Sequence, residues 1–271
     1  MPELPEVETT RRGISPRIKH KTIENVTIRH RQLRWPIPAN LKAKCKGQII
    51  KDVSRRGKYL LIKLDTGTII MHLGMSGSLR VIDCNIPPEK HDHIDIVLNT
   101  DKCLRLRDPR RFGAVLFTTG DPLEHKLLKH LGPEPLEKDF NATYLFNKSR
   151  KRNLAVKLFI MDSKVVVGVG NIYASESLFK AGIHPKKAAG KITKEQYASL
   201  ARAIKSVLKA AIKSGGTTLR DFTSSDGSPG YFSQSLKVYG RKGEPCPKCG
   251  KTITHSVIGQ RATYYCTHCQ K

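Results

Sequence analysis

The sequence predicts an α+β protein in which the two kinds of structure are segregated along the chain. Three observations lead there. From about Thr22 to Thr119, short β-branched and apolar runs recur between turn residues; beyond Gly132-Pro133-Glu134-Pro135, apolar residues fall at helical spacing; and the carboxyl end carries Cys246-x-x-Cys249 and Cys266-x-x-Cys269. Many short, evenly spaced strands imply a β-sandwich or flattened barrel. The Pro/Gly stretch is a natural boundary. We therefore expect domains at 1–132 and 133–236, with a cysteine-bearing hairpin at 237–271.

In order, Glu3 to Ile14 reads as a short helix. Pro5 suits its first turn, Glu3, Glu6 and Glu8 favour its positive end, and Pro16 limits its extension. Strands are expected over Ile23–Ile28, Gly47–Val53, Lys58–Leu64, Thr68–Leu73, Ser78–Ile82, His93–Leu98, Cys103–Leu106 and Ala114–Thr118, with turns at Asp65-Thr66-Gly67 and Asn99-Thr100-Asp101. In the second half, Thr193 and Gln196 have capping-box spacing. Tyr197, Leu200, Ala201, Ile204, Val207, Leu208 and Ala211 then form one apolar stripe, ended by Gly215-Gly216. That stripe is core. The following stretch, Thr217 to Gly240, is polar and Gly/Ser-rich and reads as a long functional loop.

The chain has 271 residues, enough for two cores, with 49 Lys plus Arg against 23 Asp plus Glu, a formal charge of +26. Such an excess points to a polyanionic partner, nucleic acid ahead of membrane. Four zinc-bound thiolates would trim it by only a net two charges. With no secretory signal and no long apolar run, a cytoplasmic protein without a membrane partner is expected. Nothing in the pattern calls for an oligomer, so a monomer is expected. Cys45, Cys84 and Cys103 sit singly in strand-like stretches and read as reduced core or edge residues.

The amino terminus is chemically the most suggestive segment. Pro2 is small enough for Met1 to be removed, which would leave a secondary amine beside Glu3. An α-amino group titrates near 7.8 and lysine near 10.4, so the neutral, attacking form is roughly 400 times more populated. Attack on a sugar C1′ would give an iminium, and the neighbouring carboxyl could move the protons required. A frayed terminus is the alternative.

The cysteine pairs are the strongest isolated signal. Two C-x-x-C turns, sixteen residues apart and brought together by a hairpin, make a closed tetrahedral S₄ site suited to one structural zinc ion. A redox dithiol is the alternative. The residues between the pairs, including Thr254, His255, Gln260 and Arg261, would be presented to nucleic acid.

Val167-Gly168-Val169-Gly170-Asn171 fails the dinucleotide fingerprint because Tyr173 stands where its third glycine belongs. It reads instead as a turn into a helix over Ile172–Lys180, with Asn171 either holding a phosphate or capping. Asp108-Pro109-Arg110-Arg111-Phe112-Gly113 places an apolar ring beside two guanidiniums, a combination suited to wedging a base stack; Met75 is a second apolar wedge candidate. Lys58 starts a strand and could point a cation into a site. Of His91 and His93, a phosphate contact by one is preferred to a metal. The runs Arg150-Lys151-Arg152 and Lys186-Lys187 read as an electrostatic footprint.

Taken together, PELPEVET, RRGKYL, HLGMSGSLR, DPRRFG, MDSKVVVGVGNIYASESLF and the closing finger with its GQR resemble the bacterial formamidopyrimidine-DNA glycosylases over the whole chain. Leu4 favours this branch over the endonuclease VIII branch, which typically has glycine there. The resemblance implies an N-terminal β-sandwich, a helix-two-turn-helix domain and a β-hairpin zinc finger, with damaged double-stranded DNA as partner. It implies a bifunctional glycosylase and abasic-site lyase acting on oxidised purines. Pro2 would be the Schiff-base nucleophile, Glu3 the general acid, and Lys58 and Arg261 the proton donors of β- and δ-elimination. Met75, Arg110 and Phe112 would replace the extruded base. His91, Arg110, Arg152 and Asn171 would touch the DNA backbone, with Lys157 a weaker candidate, and the loop around Thr217–Tyr239 would close over the base. Arg152 stands where lysine is also common. The rivals are the pyrimidine-specific sister enzymes and a noncatalytic zinc-finger regulator.

Overall fold

The computed structural model describes residues 2–217 and 232–271. It divides into two compact units, one drawn from Met1–Lys129 and Ser214–Tyr231, the other from His130–Lys213 and Phe232–Lys271.

The first unit opens with helix α1 (Leu4–Ile18) and holds eight strands: β1 (Ile23–Ile28), β2 (Asp52–Arg56), β3 (Tyr59–Lys63), β4 (Thr68–His72), β5 (Ser78–Asp83), β6 (Asp92–Leu98), β7 (Lys102–Arg107) and β8 (Ala114–Thr118). Two four-stranded antiparallel sheets result, ordered β1-β6-β7-β5 and β2-β3-β4-β8. Period-two alternation sends Leu60, Ile62, Ile69 and Met71 from one sheet, and Ile94, Ile96, Leu104 and Leu106 from the other, into one core with Val7, Ile14 and Ile18 of α1. This is the expected sandwich.

Three local expectations need correction. Helix α1 runs through Pro16 to Ile18, because a proline this close to the end removes only the bond to the Arg12 carbonyl. The segment 47–50 is not part of β2. Its backbone pairs with Lys21–Ile23 instead, through Ile23 N–H to Gln48 O (2.9 Å) and Ile50 N–H to Lys21 O (2.9 Å), and β2 begins at Asp52. Cys45 lies not on a strand but in a short helix, α2 (Leu41–Cys45), whose Leu41 and Cys45 are buried at i,i+4. Burial pushes the thiols of Cys45 and Cys103 up to about 12, which leaves them inert core groups.

The second unit contains α3 (Ala142–Ser149), α4 (Val156–Met161), α5 (Asn171–Ala181) and α6 (Lys194–Lys213), followed by the hairpin β9 (Thr254–Ile258) and β10 (Arg261–Tyr265). The capping box before α6 forms reciprocally, with Thr193 N–H to Gln196 Oε1 and Gln196 N–H to Thr193 Oγ1 both at 3.2 Å. All seven stripe residues of α6 are buried. Helix α5 starts at Asn171 with Gly170 as its N-cap and no side-chain cap bond, so the capping alternative for Asn171 falls. Among the described residues no helix is long and apolar enough to cross a membrane.

Candidate nucleic-acid interface and metal centre

In the first unit, Pro2 leads directly into α1, and the peptide after it is fixed by carboxylates. Glu3 and Glu6 form a reciprocal capping box, with Glu3 N–H donating to Glu6 Oε2 at 2.8 Å; both residues are 2% exposed. The other oxygen of Glu6 accepts Thr217 N–H at 2.8 Å. One buried carboxylate thus holds both the backbone beside Pro2 and the last described residue before 218. Met1 and most of the Thr217–Tyr239 loop lie outside the described residues.

One turn further on, Glu8 accepts from Arg11 (2.8 Å), Arg12 (2.8 Å) and Arg55 (3.2 Å). Burial alone would raise its carboxyl; the guanidiniums outweigh that and hold it at about 2. Arg55 also donates to Gly57 O at 2.8 Å. Gly57 and Lys58 form the two-residue β2–β3 turn, in which Gly57 alone takes a positive φ, +57°. Arg55 therefore ties the amino-terminal helix to the turn carrying Lys58. Beside this turn, the His72 ring lies 4.8 Å from that of Tyr59, tilted by 55°, and burial, with Lys58 and Arg34 nearby, holds it down at about 4. The neutral ring accepts Gly74 N–H at Nδ1, 2.9 Å, at the base of the Met75 turn.

Met75 is half-buried, whereas Arg110 and Phe112 are exposed, Phe112 by 43%, with the Arg110 guanidinium 5.0 Å over its ring. His91 lines a recess of about 400 Å³ with Arg29, His30, Glu89, Lys90, Asp92, His93, Pro109 and Arg111, so that carboxylates and cations share its wall.

In the second unit, the thiols of Cys246, Cys249, Cys266 and Cys269 lie within 4.8 Å of one another, with Sγ···Sγ of 3.9 Å for Cys246–Cys269 and 3.5 Å for Cys249–Cys266. A tetrahedral zinc site with Zn–S near 2.3 Å requires edges of about 3.8 Å, so the four donors fit one structural zinc and leave no open position for catalysis. Gln270 ties this end to the segment that follows α5, accepting Cys266 N–H and donating to Ile183 O, each at 2.9 Å.

The hairpin above the cysteines turns through Gly259-Gln260, both at positive φ (+54° and +61°), as a two-residue turn matched to strand twist requires. A Cβ on Gly259 would come within 2.7 Å of the Leu158 side chain, so the turn lies against α4. Arg261 follows and is exposed. Its neighbours are pinned: Lys157, 0% exposed, donates to Ala262 O (3.0 Å) and Thr263 Oγ1 (2.7 Å), and Asn171 donates to Ala262 O (3.0 Å) and Tyr239 OH (3.4 Å). Lys157 is therefore part of the hairpin's support, not a surface cation. Arg152 is exposed on the α3–α4 connection, its carbonyl accepting Gly190 N–H at 2.8 Å.

Several supporting residues were not singled out by motif reading. Glu176 is 4% exposed within α5 and accepts the N–H groups of Lys237, Val238 and Tyr239, all at 2.9 Å, which anchors the approach to the finger. An acid inside the apolar run Ile172–Phe179 is the signal that marks it. Arg55 and Glu6 carry no comparable mark, since both look like ordinary charges near a turn or a helix start.

Comparison with known proteins agrees with this construction. Residues 1–115 match the formamidopyrimidine-DNA glycosylase N-terminal domain, 131–223 its H2TH domain, and 243–271 the zinc finger found in FPG and IleRS. Across all 271 residues of both chains, identity is 59% to the formamidopyrimidine-DNA glycosylase of Saccharophagus degradans and 60% to that of Teredinibacter turnerae. The crystal structure of the MutM (FPG) protein from Thermus thermophilus is similar with a TM-score of 0.89 at 37% identity, covering 99% of this chain and 98% of that one. The Lactococcus lactis Fpg complex with abasic-site DNA gives 0.92 at 36% identity, covering 99% of each. A bare zinc-finger regulator does not account for likeness along the whole chain, and the chain belongs to the formamidopyrimidine-DNA glycosylase family.

Proposed function

We propose that this protein is a bifunctional base-excision enzyme that removes oxidised purines from duplex DNA and then cuts the strand at the abasic site. The observation that carries the reading is the amino terminus, where the buried Glu6 carboxylate fixes the peptide beside Pro2 and Arg55 ties the same helix to the Lys58 turn. Once Met1 is removed, the Pro2 nitrogen attacks C1′. The C1′–N bond breaks, the base leaves with a proton, and Glu3 protonates the ring oxygen as the sugar opens to the iminium. The iminium acidifies the C2′ hydrogen, whose loss expels the 3′ phosphate; loss of the C4′ hydrogen from the conjugated iminium then expels the 5′ phosphate, Lys58 and Arg261 supply protons to the two leaving phosphates, and water hydrolyses the iminium to free Pro2. Met75, Arg110 and Phe112 fill the space left by the extruded base, which lowers the cost of a few kcal/mol for holding it out of the stack. His91, Arg110, Arg152 and Asn171 hold the backbone.

The relatives support the substrate class, since solved Lactococcus lactis structures contain Fapy-dG and abasic-site DNA. We assign the three domains to 1–132, 133–236 and 237–271, and place the enzyme as a monomer in the bacterial cytoplasm. The test is incubation with duplexes carrying 8-oxoguanine or thymine glycol. Release of 8-oxoguanine with phosphate left on both sides of the gap is expected. Preferential release of thymine glycol would move the chain to the pyrimidine branch, and base release without strand cleavage would remove the lyase role.

A further inference from the structure

We infer that Asp108 is a positioning residue that joins the Met75 turn and the Arg110–Phe112 turn into one rigid wedge; the inference rests on the proposed base-extruding function. Neither turn belongs to a strand, yet their backbones are locked together. Asp108 is 0% exposed and Ser76 3%. Of the Asp108 carboxylate oxygens, one accepts from Ser76 Oγ at 3.1 Å and the other from Gly113 N–H at 2.7 Å. Ser76 Oγ in turn accepts Arg110 N–H at 3.2 Å. One carboxylate and one hydroxyl therefore span both turns and touch the backbone on either side of Phe112.

The backbone of Asp108 is held independently. Its N–H donates to His91 O at 3.0 Å, and its carbonyl accepts from His93 Nε2 at 2.8 Å and Arg111 N–H at 3.1 Å. The contact between the turns is also too close for a side chain at Gly74, whose φ is +64° and whose added Cβ would lie 2.4 Å from Phe112 C and 2.5 Å from Gly113 N. The side chains of Met75, Arg110 and Phe112 have no part in these bonds. Their spacing is set by groups behind them, so the wedge enters a base stack already assembled and its ordering cost falls at folding, not at extrusion.

The test compares Asp108→Ala, Asp108→Asn and Ser76→Ala. Each is measured for kcat/KM on an 8-oxoguanine duplex and on a duplex with a preformed abasic site, which has no base to extrude, and for amide hydrogen exchange across 73–77 and 109–113. Asp108→Ala is expected to lower excision at least about tenfold, the effect of losing one charged hydrogen bond, and to lower abasic-site cleavage by less than about threefold. Asp108→Asn, which keeps an acceptor for Gly113, should recover most of the loss. Ser76→Ala should give a smaller shift in the same direction, and it serves as the test if the alanine variant at 108 does not fold. Exchange should rise in both segments whichever turn is altered. Equal losses on the two duplexes, no rescue by asparagine, or loosening confined to the altered turn would overturn the inference. Inactivity of the unaltered protein on both duplexes would instead sink the functional reading, and the exchange result would still decide the role of Asp108.

Discussion

At the amino terminus, the backbone beside Pro2 is held by Glu6, and Glu8 gathers three guanidiniums. At the other end, Arg261 rides on a hairpin whose base is four thiols at zinc-binding distances. Both regions carry a residue of the proposed site, yet the first is held by its own side chains while the second clusters four donors that suit a cation. Metal affinity is then folding energy for the finger and irrelevant to the sandwich. The two ends should accordingly fail in different ways.

The largest separation is expected from Cys249→Ala. Zinc should be released, and duplex affinity at fixed salt should fall by about 100-fold, while the melting of the N-terminal unit stays within the roughly 0.5 kcal/mol typical of a remote substitution. Titration with a zinc-sensitive dye beside a binding isotherm checks it; unchanged affinity after zinc loss would remove the hairpin from the interface. Next, Glu176→Ala removes the acceptor of three N–H groups, of which that of Val238 is buried, and should destabilise the second unit by about 2 kcal/mol in denaturant unfolding, against little change in the sandwich.

The sandwich has its own weak point in acid. His72 titrates at about 4 against 6.5 for a free histidine, so the folded state binds the proton less readily than the unfolded one. Its contribution is therefore full above pH 6.5 and is lost as pH falls towards 4, a decline of roughly 3 kcal/mol that His72→Gln should flatten. The smallest effect is expected at Gly259→Ala, where the positive φ and the contact with Leu158 together cost about 1–2 kcal/mol. Stability of the zinc-loaded finger and the salt dependence of DNA binding are the readouts.

What was legible in the sequence was local. The C-x-x-C pairs, the Thr193–Gln196 box and the stripe of α6 each lie within a few turns of chain, and each forms as its spacing requires. Strands were legible from alternation, except where 47–50 was drawn onto Lys21–Ile23, a pairing no period reveals. Helix α2 is too short to show a period. In the proposed site, sequence reading singles out residues whose type announces chemistry and passes over those that hold them in place. Glu176 meets Lys237–Tyr239 some 60 positions away (|i−j| = 61 to 63), and Lys157 meets the hairpin across 105 and 106 positions. Lys157, which the resemblance brings in as a weaker backbone contact, gives its ammonium in this fold to a carbonyl and a hydroxyl of the hairpin.

The account turns on Pro2 as nucleophile, and borohydride trapping tests it directly. Reduction during reaction with an 8-oxoguanine duplex should yield one covalent protein–DNA adduct, and peptide mapping by mass spectrometry should place the sugar remnant on the Pro2 nitrogen of a chain lacking Met1. An adduct on a lysine, or undiminished trapping by a chain that retains Met1, would contradict it.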